Sequence, residues 1–132
     1  MYFLDTNTCI YFLNGTSENI REKILNTAPV NIKIPVVVKA ELLLGAYKSQ
    51  KRASNLAKLE IFLQPFEIIP FNDTMTLTYA QIRSSSELAG KPIGPNDLFI
   101  ATIVKFYGGI LVTNNTNEFG QIKGLKLENW LQ

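Results

Sequence analysis

Asp5, Glu41, Asp97 and Glu118 are the side chains best placed to do chemistry together, because four separate predicted elements carry them toward one edge of a predicted sheet. Carboxylates gathered in one place repel: two of them about 5 Å apart cost roughly 3 kcal/mol at an effective dielectric of 20. Such a group is stable when one member holds a proton or when a divalent cation lies among them. Ligands that offer only oxygen select a hard ion, Mg2+ or Mn2+. An ion of that kind lowers the pKa of a water and clamps a phosphodiester for in-line attack, so no protein nucleophile is required.

The rest of the composition narrows the chemistry in the same direction. The chain has no histidine, which excludes a Ser-His-Asp triad, a Cys-His pair, imidazole acid–base catalysis and His-based zinc. Its single cysteine, Cys9, excludes an intrachain disulfide and thiolate-held clusters, and fits a reducing, cytoplasmic compartment. Cys9 lies in an apolar stretch and reads as an inert packing residue.

The elements that must position the acids follow from the apolar pattern. Met1–Leu4 is a short buried strand that ends at Asp5. Ser17–Asn26 reads as a helix with Ile20, Ile24 and Leu25 on one face, acids near its start and Pro29 beyond its end. Asn31–Ile34 is a second strand. Pro35 fits the first position of a helix on which Val37, Ala40, Leu44 and Tyr47 recur at helical spacing. A further helix covers Ser54–Leu63, and Glu67–Phe71 reads as a third strand. Asn72 or Asp73 caps a helix to about Ala89, with Gly90 as its stop. Pro95 opens the next helix, Gly108-Gly109 closes it, Ile110–Thr113 is a fourth strand, and a short fifth falls near Leu125–Leu127.

This alternation predicts one α/β domain over residues 1–132, with a largely parallel sheet of four or five strands covered by helices. In open sheets of this type ligands bind beyond the carboxyl ends of the strands. Asp5 follows the first strand, Glu41 lies two turns into the helix after the second, Asp97 opens the helix before the fourth, and Glu118 lies in the loop after it. Each acid alone has a structural account. Asp5 can be a turn or helix cap, and Asp97 suits the positive end of a helix dipole. Glu41 is the exception, because it interrupts the almost wholly apolar run Val36–Leu44, where an unpaired carboxylate is costly.

Charge and length add limits. The 132 residues are 46% hydrophobic and 18% charged, as in an ordinary compact domain. A net charge of +2 does not by itself indicate nucleic acid. No run approaches the ~18 apolar residues of a membrane span. Asp5 interrupts the first apolar run before a signal peptide's core could form, so the chain is expected to stay where it is made.

Four segments resemble the PIN domain, and within it the VapC toxins of bacterial toxin–antitoxin pairs. They are Tyr2-Phe3-Leu4-Asp5-Thr6-Asn7, Ala40-Glu41-Leu42 with Gly45-Ala46, Pro92-Ile93-Gly94-Pro95-Asn96-Asp97, and Leu111-Val112-Thr113-Asn114-Asn115-Thr116 ending in Glu118-Phe119. They stand in the family's order and cover essentially the whole chain. The resemblance implies a PIN-like sheet, with Asp5, Glu41 and Asp97 as acidic ligands of Mg2+ or Mn2+ and Glu118 as a fourth acid. It also implies that Thr6, Asn7 and Thr113 order the site through hydrogen bonds and that Asn96 stands beside a metal acid. Two departures are visible: Asn115 stands where many PIN nucleases carry an acid, and Ile34-Pro35-Val36-Val37-Val38 lacks the hydroxyls that VapC-like chains often carry before the glutamate.

The same resemblance implies cleavage of structured RNA, often tRNA, silencing by a small cognate antitoxin, and homodimerisation. Lys48, Lys51, Arg52 and Lys58 form a run without an intervening acid, readable as a solvated helix face or as a phosphate-contacting strip. The Leu42–Leu63 pair of helices is apolar enough for core packing, or for a groove that receives an amphipathic antitoxin segment. Two other readings stand beside the nuclease. One is a PIN-like module that only binds RNA or protein. The other is an aspartate-nucleophile phosphatase, since Asp5-Thr6-Asn7-Thr8 approximates its opening motif, although Asn7 replaces the acid that would protonate the leaving group.

Overall fold

The computed structural model describes residues 1–132. Five strands form one wholly parallel sheet: β1 (Tyr2–Leu4), β2 (Ile32–Pro35), β3 (Glu67–Ile69), β4 (Ile110–Val112) and β5 (Lys126–Glu128). Their spatial order is β3-β2-β1-β4-β5. The chain therefore builds outward from β1 to β3, then returns to β1's other side for β4 and β5. That reversal puts the topological switch point between β1 and β4, where open α/β sheets offer a crevice at their carboxyl edge. The predicted α/β class and largely parallel sheet of four or five strands hold, with five strands present and all of them parallel.

Seven helices flank the sheet: α1 (Thr6–Asn14), α2 (Glu18–Leu25), α3 (Val36–Lys48), α4 (Arg52–Leu63), α5 (Thr76–Leu88), α6 (Pro95–Phe106) and the one-turn α7 (Thr116–Phe119). None is long and apolar enough to cross a membrane. The central strands are the most deeply packed: Phe3, Leu4, Ile32, Ile34, Leu111 and Val112 are completely buried. α6 supports them with Ile100, Ala101, Ile103 and Val104, so the helix that carries Asp97 is anchored in the core. No buried side-chain nitrogen or oxygen lacks a hydrogen-bond partner, which leaves no internal polar strain to explain.

Four expectations are corrected. The sequence reading places no element between Leu4 and Ser17, yet α1 fills that stretch, started by Asp5 and stopped by Gly15 in the left-handed conformation at φ 66°. Only Thr8 and Cys9 of α1 are buried, so its apolar stripe is too narrow to announce itself. On α3 the buried stripe is Val38, Leu42 and Ala46, while the expected Leu44 and Tyr47 are exposed. α3 is apolar on nearly every side, and periodicity alone cannot choose a face for such a helix. Pro35 is the last residue of β2 and the N-cap of α3, one place earlier than expected. On α2, likewise, Ile20 and Ile24 are buried but Leu25 is exposed.

Candidate active site

Asp5 leaves β1 with its backbone N–H donating to the Val112 carbonyl at 3.1 Å, so it is pinned to the end of the neighbouring β4. Its Oδ1 accepts the Thr8 N–H at 2.8 Å and thereby caps α1. The Thr8 hydroxyl in turn donates to Val112 O at 3.2 Å. Only 5% of Asp5 is exposed. Burial pushes its carboxyl up from the ordinary value, hydrogen bonds from Thr113 and Thr8 hold it down, and the nearby Glu41 charge adds a smaller upward push. The helix-cap account of Asp5 is thus correct and does not exclude the other: the capping acid lies at the switch point.

Glu41, two turns into α3, is gripped at both oxygens. Oε1 accepts from the Thr6 hydroxyl at 2.5 Å and Oε2 from the Asn96 amide at 3.2 Å. Those partners belong to α1 and α6, which resolves how an acid survives inside an apolar run. Glu118 is held in the same manner, by the Gly94 N–H at 3.1 Å and by the Asn115 amide at 3.1 Å. It lies on α7 and not in an open loop.

Asp97 stands between these two held carboxylates in the first turn of α6. Its carboxyl is pushed up to about 6, first by burial, then by the charges of Glu118 and Glu41, by a hydrogen bond shared with Glu118, and by Asp5. Four acids from four separate elements therefore share one electrostatic site at the carboxyl edge.

The supporting residues divide. Thr6 and Asn96 orient Glu41, and Thr113 supports both Asp5 and the Asn115 N–H, the latter at 2.9 Å. The Asn115 amide donates to Glu118 and fixes it. Asn7 is exposed and makes no side-chain hydrogen bond, so the ordering role expected of it is taken by Thr8. Sequence alone assigns Thr8 and Gly94 no role in the site. Asp5 as an N-cap was the signal for Thr8, because capping bonds reach residues two or three places on.

The basic run is also split. α3 ends at Lys48 and α4 begins at Arg52, so Lys48, Lys51 and Arg52 bracket a turn and do not share a helix face. Arg52 lies over the Tyr47 ring at 4.5 Å and donates to Tyr47 O at 2.8 Å. Lys58 alone reaches toward the acids: it lines a groove of about 260 Å³ with Glu41, Ile10, Leu13, Leu42 and Leu59.

As the side chains stand, no three acids enclose a ready-made metal cage; Glu41 and Glu118 are tied to neutral donors. The donor set nevertheless suits a hard divalent cation. It consists of carboxylate oxygens with amide and hydroxyl support, and the charges of Glu118, Glu41 and Asp5 all act on Asp97.

A wholly parallel sheet with an acidic cluster at its switch point defines the general class, an open α/β domain with its candidate site at the carboxyl edge of the sheet. The particular family follows from comparison. Residues 2–125 match the family described as PIN domain. The chain is 42% identical to Ribonuclease VapC2 of Rickettsia felis, over 98% of both chains. It is 37% identical to the tRNA(fMet)-specific endonuclease VapC of Salmonella typhimurium, over 98% of this chain and 97% of that one. The crystal structure of VapBC2 from Rickettsia felis, bound to a DNA fragment from its promoter, superposes with a TM-score of 0.92 at 41% identity over 98% of both chains. The chain belongs to the PIN-domain family and within it is VapC-like.

Proposed function

We propose that this protein is a Mg2+- or Mn2+-dependent endoribonuclease that cuts structured RNA, tRNA foremost, and acts in the cytoplasm as the toxin of a toxin–antitoxin pair. The observation that carries the reading is the convergence of Asp5, Glu41 and Glu118 on Asp97 at the switch point of the sheet. The ribonuclease and tRNA endonuclease names of similar chains support it.

Asp5, Glu41, Asp97 and Glu118 are the residues that would hold the ion. When bound, it supplies positive charge that polarises a phosphodiester and eases loss of a proton from an attacking water. The chain's own contribution is preorganisation. Thr6 and Asn96 lock the plane of Glu41, Gly94 and Asn115 lock Glu118, and Thr113 with Thr8 holds Asp5. Lys58, on the rim of the groove that contains Glu41, offers an ammonium to an incoming phosphate.

Thr6→Val removes the hydroxyl that grips Glu41 and leaves shape almost unchanged. Loss of such an outer partner should lower activity or metal affinity roughly ten- to a hundred-fold. Calorimetric titration with Mn2+ checks it, and affinity equal to wild type would remove Thr6 from the site.

The groove between α1, α3 and α4 is where we place the antitoxin. Ile10, Leu13, Leu42 and Leu59 offer an apolar floor that leads directly to Glu41, so a bound amphipathic segment would cover the site. Homodimerisation belongs to the same proposal, with the exposed Leu44 and Tyr47 of α3 as apolar surface available for it.

The experiment is cleavage of total tRNA by purified protein with Mg2+ or Mn2+, set against EDTA and Asp5→Asn. Discrete cuts that vanish in both controls are expected. The alternative reading is a PIN-like module that only binds RNA or protein. Retention of tRNA with no cutting under either metal would establish that reading.

A further inference from the structure

Away from the acids, α5, α6 and the segment after α7 enclose a second cleft of about 580 Å³. Lys91, Lys105 and Lys123 line it, with Gln81, Ser85 and Gln121 as neutral polar neighbours. The chain carries 11 acidic residues, yet none lines this cleft. The nearest acid on α5, Glu87, is turned to Arg83, which donates to it at 3.0 Å. None of the three lysines enters a salt bridge; the two ion pairs in the molecule are Lys33–Glu67 and Arg83–Glu87.

We propose that this cleft binds the phosphodiester backbone of the RNA substrate outside the active centre, an inference that rests on the ribonuclease reading. Lys105 does complement the dipole at the end of α6, but a helix-end role needs one cation and no companions. Three like charges brought together from separate segments, with no acid between them, repel until an extended polyanion enters.

The position suits the same substrate that reaches the acids. Lys91 lies three residues before Gly94, whose N–H holds Glu118, and Lys123 lies five residues after Glu118. The two chain segments that fix Glu118 thus continue into the walls of the cleft. Gln81 and Ser85 of α5 and its C-cap Ala89 line it over two turns, about 12 Å of helix, which is long enough to follow a backbone and not only a single phosphate. Gly124, at φ 82°, passes beside Lys105: a side chain there would begin 3.9 Å from the Lys105 Nζ. The absent side chain leaves that ammonium open to the cleft.

The test is binding of fluorescently labelled total tRNA in EDTA, over a salt series, by wild type and by the triple variant Lys91→Gln/Lys105→Gln/Lys123→Gln. A triple variant of exposed cations elsewhere, Arg21→Gln/Lys23→Gln/Lys126→Gln, controls for net charge. The cleft variant should bind roughly ten- to a hundred-fold more weakly near 0.1 M salt, with the slope of log K against log salt reduced by about two. Replacing the same three lysines by arginine should preserve binding. In cleavage assays the cleft variant should raise KM for tRNA and leave kcat unchanged. Equal losses in the cleft and control variants, or loss of binding in the arginine variant, would overturn the proposal alone. If wild type neither binds nor cuts tRNA, the ribonuclease reading fails and the cleft assignment with it.

Discussion

Asp97→Asn should abolish RNA cleavage and at the same time make the metal-free protein harder to unfold. In the folded chain the Asp97 carboxyl is pushed up to about 6, from an ordinary 3.8, by burial and by Glu118, Glu41 and Asp5. Above pH 6 the group is ionised in both folded and unfolded states, and the folded state bears the repulsion. Between about pH 6 and pH 4 the folded state binds the proton that the unfolded state still lacks, so this cost disappears as pH falls. The sign is opposite to that of a salt-bridged aspartate. Asparagine removes the charge at every pH, so the variant's advantage is full above pH 6 and fades toward pH 4.

Asp97 is only half-buried, and solvent screening reduces the gain to the order of 1 kcal/mol, partly offset by lost interaction with the α6 dipole. For a chain of this size that is a rise in Tm of a few degrees. Cleavage should fall at least a hundred-fold, more than for loss of an outer partner. Thermal melts in EDTA at pH 5 and pH 8, with tRNA cleavage alongside, read both effects. A variant that melts well below wild type at pH 8 would make Asp97 a structural residue and sink its assignment.

The second large effect lies far from the acids. Gly109→Ala should destabilise the protein by about 3 kcal/mol. An added Cβ would stand 2.4 Å from Phe3 Cε1 and 2.7 Å from Phe3 Cδ1. Phe3 is completely buried on β1 and stacks on Tyr107 at 6.1 Å, so its ring has no room to retreat. Gly109 itself is fixed by its N–H to the Val104 carbonyl at 3.1 Å. Its requirement is for space, unlike that of Gly108, whose φ of 65° demands a left-handed backbone. Phe3→Leu should recover part of the loss in the double variant, because the two side chains contend for one volume. Denaturant midpoints for the four proteins give the coupling directly. A Gly109→Ala chain as stable as wild type would mean that β1 and β4 can part without cost.

The two predictions mark what sequence can and cannot carry. Strand-helix alternation and oxygen-only chemistry are local properties, so the parallel sheet and the acids at its edge were legible from residue order. α1 was not, because its buried face is only two residues wide. The α3 face was not, because an all-apolar helix hides its orientation from any periodicity. The grip on Glu41 joins residues 6, 41 and 96, and nothing local in the sequence relates those three positions. The contact of Asn115 is hidden for a different reason: a neutral amide at an acidic position gives no hint of its hydrogen bond to Glu118. The basic run misled because Lys48, Lys51 and Arg52 keep helical spacing across a point where the helix ends. The lysines that do share a cleft, Lys91, Lys105 and Lys123, are spread over three segments.

The double duty of Asp5 bears on how such a chain can lose its activity by drift. Its carboxylate both belongs to the acidic site and starts α1. Most replacements at this position would inactivate the protein and also weaken its first helix, by about 1 kcal/mol for alanine. Asparagine and serine cap a helix about as well as aspartate does, so either should silence the chemistry and spare the fold. Loss of activity at position 5 should therefore come with an intact fold only where the new residue can still cap α1, and with a weakened first helix everywhere else.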